Sequence, residues 1–140
     1  MSDVILAKHK LAEGEYSCVL VKDGNIIMTS YEKGIQSIFK KLMEDKNSLE
    51  NTVLADKVIG KAAALLIIFG NIKVVYSHVM SDCAKKILDE NNVEVEYNRI
   101  VPYIMNVDGT DKCPMEKLIE NIDDPTEAFQ VFSDFFKDKL

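Results

Sequence analysis

Leu54-Ala55-Asp56-Lys57-Val58-Ile59-Gly60-Lys61-Ala62-Ala63-Ala64-Leu65-Leu66 joins a polar start to a small-sided apolar run, and how it folds decides the architecture. Asp56 and Lys57 stand where a helix should begin, and apolar residues continue on nearly every side to about Phe69. A helix of that kind belongs at the centre of a domain. Gly60 and the three alanines remove side-chain bulk and leave room for a ligand against the backbone, while Lys61 places one charge beside the first turn. Helix N-termini carry unpaired N–H groups and a partial positive charge, which suit anions and polar ligands.

Working outward, residues 3–13 read as a short amphipathic helix capped by Ser2 or Asp3 and stopped by Gly14. Residues 16–21 and 26–30 are rich in β-branched and aromatic side chains. Asp23-Gly24-Asn25 between them supplies the positive φ angles of a tight antiparallel hairpin. Ile35, Ile38, Phe39 and Leu42 recur at helical spacing and predict a helix over residues 33–45. Beyond the central helix, which Gly70-Asn71 ends, residues 72–80 read as a buried strand, and Ser81-Asp82 caps a helix that stops at Asn91-Asn92. Val93, Val95 and Tyr97 alternate with Glu94 and Glu96, so the next strand has one wet face. Strand, helix and strand in this order imply a right-handed parallel crossover. Residues 103–105 read as a short final strand. Pro114 then opens one closing helix, and Asp124-Pro125-Thr126-Glu127 opens another that carries Phe129, Phe132, Phe136 and Leu140 in a stripe.

The 140 residues, 47% of them hydrophobic, make one domain over residues 1–140, which should bury roughly 68% of its unfolded surface. A net charge of −6 argues against a grip on phosphate backbones, so nucleic acid is not an expected partner. Residues 111–140 concentrate the acidity, with eight Asp or Glu against four Lys. No basic start precedes a long apolar run and no stretch approaches a membrane span, which implies a cytoplasmic chain without a membrane partner. Cys18, Cys83 and Cys113 are odd in number and widely spaced, as reduced cysteines would be.

Residues 56–64, the Ser81-Asp82-Cys83 helix start and the run Gly109-Thr110-Asp111-Lys112-Cys113-Pro114-Met115-Glu116 resemble the family of domain of unknown function 1893 through nearly the whole chain. The resemblance implies a three-layer α/β architecture of the cytidine deaminase-like fold, a mixed β-sheet with helices on both faces, which agrees with the element order above. Zinc deaminases draw their ligands and proton-shuttling Glu from two helix starts, through His or Cys-x-Glu and Pro-Cys-x-x-Cys. Neither motif occurs here; residues 56–61 and 81–83 stand in their places. The expectation is therefore a scaffold with its cleft but with no metal and no other cofactor.

The favoured reading is a small-ligand binding protein whose ligand is polar or anionic, a nucleotide or nucleoside derivative. Asp56, Gly60 and Lys61 would form one wall, Ser81, Asp82 and Cys83 the other, with Cys113 and Glu116 at the rim. Asp56 at a helix start would cap it, bind a ribose hydroxyl or act as a base, and Lys61 would pair either with a ligand anion or with Asp56. Gly60-Lys61-Ala62 is not a Walker A loop, since Ala55 stands where its first Gly would be and Ala62 lacks the hydroxyl that holds Mg²⁺. A second reading makes Cys83 a nucleophile, its thiolate favoured by the first turn of a helix and assisted by Asp56 or Lys61. His78, Cys83 and Cys113 are too dispersed to read as a zinc site, and His78 reads as a core or rim histidine. His9, between two lysines, reads as surface. Arg99, the sole arginine, would serve a ligand carboxylate or phosphate or a structural ion pair. The aromatic stripe of the last helix, with Phe135, reads as packing on the domain; a third reading makes it instead the seam of a homodimeric interaction module with a vestigial cleft.

Overall fold

In the computed structural model, which describes residues 2–137 and 139, Ser2 Oγ accepts the Ile5 N–H at 3.3 Å and opens α1 (Asp3–Glu13). Asp23 and Gly24 take φ angles of 51° and 80°, so β1 (Cys18–Lys22) turns tightly into antiparallel β2 (Asn25–Ser30). The spacing of Ile38, Phe39 and Leu42 gives α2 (Gln36–Glu44), which buries all three. β3 (Val53–Ile59) and α3 (Lys61–Phe69) follow, then β4 (Val74–Ser81). Ser81 Oγ accepts the Ala84 N–H to open α4 (Asp82–Glu90), which leads into β5 (Glu94–Val101). Residues 103–105 supply only an isolated bridge, Met105 with Lys112, before the short α5 (Pro114–Leu118). Asp124 accepts the Glu127 N–H at 2.8 Å and opens α6 (Pro125–Phe136). Leu140, the last residue of the expected stripe, lies outside the described residues.

β3 corrects the sequence reading. Residues 53–59 are not the head of the central helix but a strand ending at Gly60, and α3 begins only at Lys61. Val53, Val58 and Ile59 are β-branched, and Val53 to Asp56 are buried in a position covered on both sheet faces. A strand buried in this way shows an apolar run instead of alternation, so it merges in sequence with the apolar helix behind it. Asp56 consequently caps nothing, and its carboxylate accepts the Val58 N–H at 3.1 Å within the sheet.

The five strands form one mixed sheet in the order β2-β1-β3-β4-β5, with β1 antiparallel to both neighbours and β3, β4 and β5 parallel. On one face α1 alone packs against β1, β3 and β4, burying Ala7 and Leu11 with Val19, Val21, Val53, Ala55 and Tyr76. The other helices share the opposite face, completing a three-layer α/β domain. α3 sits between the sheet and α6, which is why it is apolar all round and buries every residue from Ala62 to Ile67. Phe129 of α6 stacks on Phe69 at 4.4 Å between ring centroids and tilts against Phe39 at 5.5 Å.

The parallel ladder changes phase near its C-terminal edge. It pairs Asp56 with Ser77 and Ser77 with Tyr97, then resumes at Val58 with Val79 and Val79 with Arg99. Leu54 and Val75 face the large helical layer, and so do Ile59 and Met80 five positions later, an odd spacing that regular pleating forbids. Side chains occupy the break: Asp56 accepts the Val58 N–H and Ser77 Oγ donates to the Val79 carbonyl. Such slips re-aim side chains at sheet rims.

Candidate functional site

Gly60 ends β3 and N-caps α3, and with no side chain of its own it makes no capping bond. The cap comes from another part of the chain. Glu116, in the first turn of α5, sets its carboxylate across the helix start and accepts the Lys61 N–H at 2.8 Å and the Ala62 N–H at 2.7 Å. A charge-assisted pair of this kind satisfies two otherwise open donors and meets the positive end of the helix. Gly60 makes the approach possible. A Cβ there would lie 2.7 Å from Glu116 Cδ and 2.7 Å from Ile104 Cγ1, while the backbone φ of −108° suits any residue. Bulk, not conformation, is what this position excludes.

Lys61 turns away from Asp56. Its ammonium meets Asp123 Oδ1 at 3.0 Å and donates to the Glu120 carbonyl at 3.0 Å, and its side chain is only 12% exposed. The pairing expected with Asp56 is absent because Asp56 lies in the sheet, in a row with Cys18 of β1 and Ser77 of β4. Burial pushes the Asp56 carboxyl up to about 7, against the opposing pull of the Val58 and Lys57 N–H groups. Asp56 is therefore walled off, not a wall of an open cleft.

Ser81 is consumed as the α4 cap, while Asp82 and Cys83 are exposed in its first turn. The Cys83 thiol is pushed up, not down: partial burial dominates, the Lys61 ammonium opposes it, and the Glu116 and Asp123 carboxylates add to it. The expected thiolate is thus disfavoured, because burial and the two carboxylates outweigh the support of Lys61 and Lys86. Cys113 N-caps α5 without a side-chain bond and is half-buried. Cys18 is buried and likewise unpaired. In mass-mapped alkylation at neutral pH, Cys83 should react well before Cys18, and its rate should still climb beyond pH 9; a plateau near neutrality would contradict the raised thiol.

The structure brings Gly60, Lys61, Cys83 and Glu116 into one neighbourhood and leaves Asp56 behind it. Asp123 and Ile104 belong to this neighbourhood and were not foreseen. Asp123 sits beside the capping Asp124 and has no pattern of its own to mark it. Among the described residues no three His, Cys, Asp or Glu converge as a metal-holding group. His78 is half-buried with its ring edge-on to Tyr76, His9 is exposed, and Arg99 makes no ion pair among the described residues. Two surface cavities, of about 290 and 550 Å³, lie by α6; no residue of 56–61 or 81–83 lines either. At the α3 start, where one wall of the expected cleft would lie, the Glu116 carboxylate occupies the first N–H groups.

The family model for the domain of unknown function DUF1893 matches residues 6–136, almost the whole chain. The chain belongs to the DUF1893 family. A crystal structure of a DUF1893 family protein from Thermotoga maritima is similar to it with a TM-score of 0.86 at 26% identity, covering 97% of this chain and 92% of that one. No curated protein matches. This DUF1893 chain thus shares its architecture with a solved family member over nearly its whole length, and no helix among its described residues is long and apolar enough to cross a membrane. The aromatic stripe is mostly consumed inside the domain: Phe132 is fully buried and Phe136 nearly so, because α6 packs on α3.

Proposed function

We propose that this DUF1893 protein binds a small polar or anionic molecule, a nucleotide or nucleoside derivative, at the C-terminal edge of its parallel strands, on a scaffold of cytidine deaminase-like type. The observation that carries this reading is the Glu116 carboxylate spanning the Lys61 and Ala62 N–H groups over the bare Gly60. Those two donors are matched to a planar or tetrahedral oxyanion, and open parallel sheets take ligands beyond the carboxyl ends of their strands. In the free protein the chain's own carboxylate holds the place, and a ligand phosphate or carboxylate displaces it. The Lys61 ammonium, held by exposed Asp123 in a weak pair, can swing to the incoming anion.

A nucleotide and nucleoside library screened by thermal shift tests this against wild type and Glu116→Gln. Removing the competing charge should tighten binding by about 10-fold, since a hydrogen bond to a charged group contributes ~1.5–3 kcal/mol. No ligand for either protein, or binding weakened by Glu116→Gln, refutes the reading. The Cys83 nucleophile reading has one observation in its favour, the exposure of that thiol beside Lys61, and its raised pKa speaks against it.

A further inference from the structure

At the far end of α3 from Glu116 the chain leaves a cavity. Gly70 closes the helix, and between its last turn, the loop from α2 to β3 and the first turn of α6 lies a space of about 550 Å³. A helix of nine residues is about 13 Å long, so this cavity is separate from the seat that Glu116 holds.

Its lining has two parts. Ile68, Phe69 and Pro125, all half-buried, form an apolar floor, and Phe129 steadies it by stacking on the Phe69 ring at 4.4 Å between centroids. Around the floor stand Lys46, Asn47, Asn71 and Thr126, exposed, with side chains that make no hydrogen bond or ion pair among the described residues. The backbones that present the two carboxamides are pinned. Asn71 takes a φ of 58°, donates its N–H to the Ile68 carbonyl at 3.1 Å and accepts the Asn51 N–H at 3.0 Å. Asn47 donates its N–H to Asp45 Oδ1 at 2.9 Å and accepts the Glu50 N–H at 3.3 Å. Two carboxamides, a hydroxyl and an ammonium thus ring an apolar floor with donors and acceptors unused, on backbone that needs little ordering when a ligand arrives.

Charge selects the ligand. Asp45 and Asp124 adjoin the lining residues Lys46 and Pro125, and the carbonyl end of α3 adds a partial negative charge, so a single ammonium does not make this a place for a phosphate or carboxylate. We propose that the cavity binds a neutral saccharide, a pyranose lying with its C–H face on Phe69 and its hydroxyls turned to Asn47, Asn71, Thr126 and Lys46. Such a ring needs an apolar floor and a rim that both donates and accepts, and the volume lies in the range of small-molecule sites. A nucleoside fits less well, because a base is held between two apolar faces and this cavity offers one.

Amide-resolved NMR titration of the full chain tests this with D-glucose, D-galactose, D-mannose, N-acetyl-D-glucosamine and maltose, each taken to ~50 mM so that a millimolar site fills, and with adenosine and inorganic phosphate as comparison probes. At least one saccharide should shift the side-chain amides of Asn47 and Asn71 together with the backbone amides of Phe69 and Thr126, and should leave those of Lys61 and Ala62 in place. Asn47→Ala should weaken that binding by ~5-fold, the contribution of one neutral hydrogen bond. The proposal is overturned if no saccharide moves these groups, if adenosine or phosphate moves them at lower concentration than every sugar, or if Asn47→Ala binds as tightly as wild type. Should that variant not fold, Thr126→Val takes its place, with the same loss expected and unchanged affinity again overturning the proposal.

Discussion

Raising the pH from 5 to 8 should destabilise this protein, and Asp56→Asn should remove most of that trend. The folded carboxyl titrates at about 7, whereas in the unfolded chain it returns to its ordinary value of 3.8. Between those limits the native state holds a proton that the unfolded state has lost. The contribution to stability is therefore fully present below the unfolded pKa and is lost as pH rises through the folded one, with a slope of up to ~1.4 kcal/mol per pH unit. Across the whole window this amounts to roughly 4 kcal/mol. The cause is burial in a row with Cys18 and Ser77, where backbone N–H groups give the carboxylate partial support and no cation lies in the row. Denaturant midpoints at several pH values, compared between wild type and Asp56→Asn, measure the effect. The two curves should converge below the unfolded value of 3.8, separate progressively up to the folded value of about 7 and run parallel above it, with the amide variant the more stable at pH 8. Curves parallel between those two values would show that Asp56 does not titrate in this range.

Asp56 also marks where the sequence ceased to be readable. The elements that local chemistry fixes were legible: Ser2, Ser81 and Asp124 cap the helices they precede, Asp23-Gly24 turns the hairpin, and Gly70-Asn71 ends the central helix. β3 was not. Its Asp56-Lys57 pair has the composition of a helix start, and what makes it strand is pairing with β1 and β4, contacts distant in sequence. The candidate site divides in the same way. Gly60, Lys61 and Cys83 stood out because small, charged and nucleophilic residues near helix starts are local signals. The bond from Glu116 to Ala62, 54 positions away, and the Lys61–Asp123 pair depend on where the chain after β5 returns to the sheet rim, which no spacing encodes. The phenylalanine stripe was legible as a helix face that packs on the domain, but its partner surface, α3, was not.

Gly60→Ala should destabilise by about 2–4 kcal/mol, and the share of that cost due to the Glu116 carboxylate should vanish in a Glu116→Ala background, leaving the share due to Ile104. The new methyl would collide with the Glu116 carboxylate and lie 2.7 Å from Ile104 Cγ1, so the carboxylate has to leave the two amides it caps. Overpacking costs ~1–3 kcal/mol, and each lost hydrogen bond to a charged group ~1.5–3 kcal/mol, so partial relaxation brings the sum into the stated range. The usual helix gain of Ala over Gly does not offset it, because Gly60 is the cap and not an interior position, and caps prefer Gly to Ala. A four-member cycle of wild type, both single variants and the double variant, followed by thermal and denaturant unfolding, isolates the coupling. Strong coupling would show that the glycine is there to admit a carboxylate. Additive effects would place the constraint on Ile104 and the sheet, and Glu116 would then be an incidental neighbour of the helix start. The same proteins carry the ligand question further: if an external anion takes this seat, Glu116→Ala should regain stability in its presence, and Gly60→Ala, whose methyl obstructs the seat itself, should regain little.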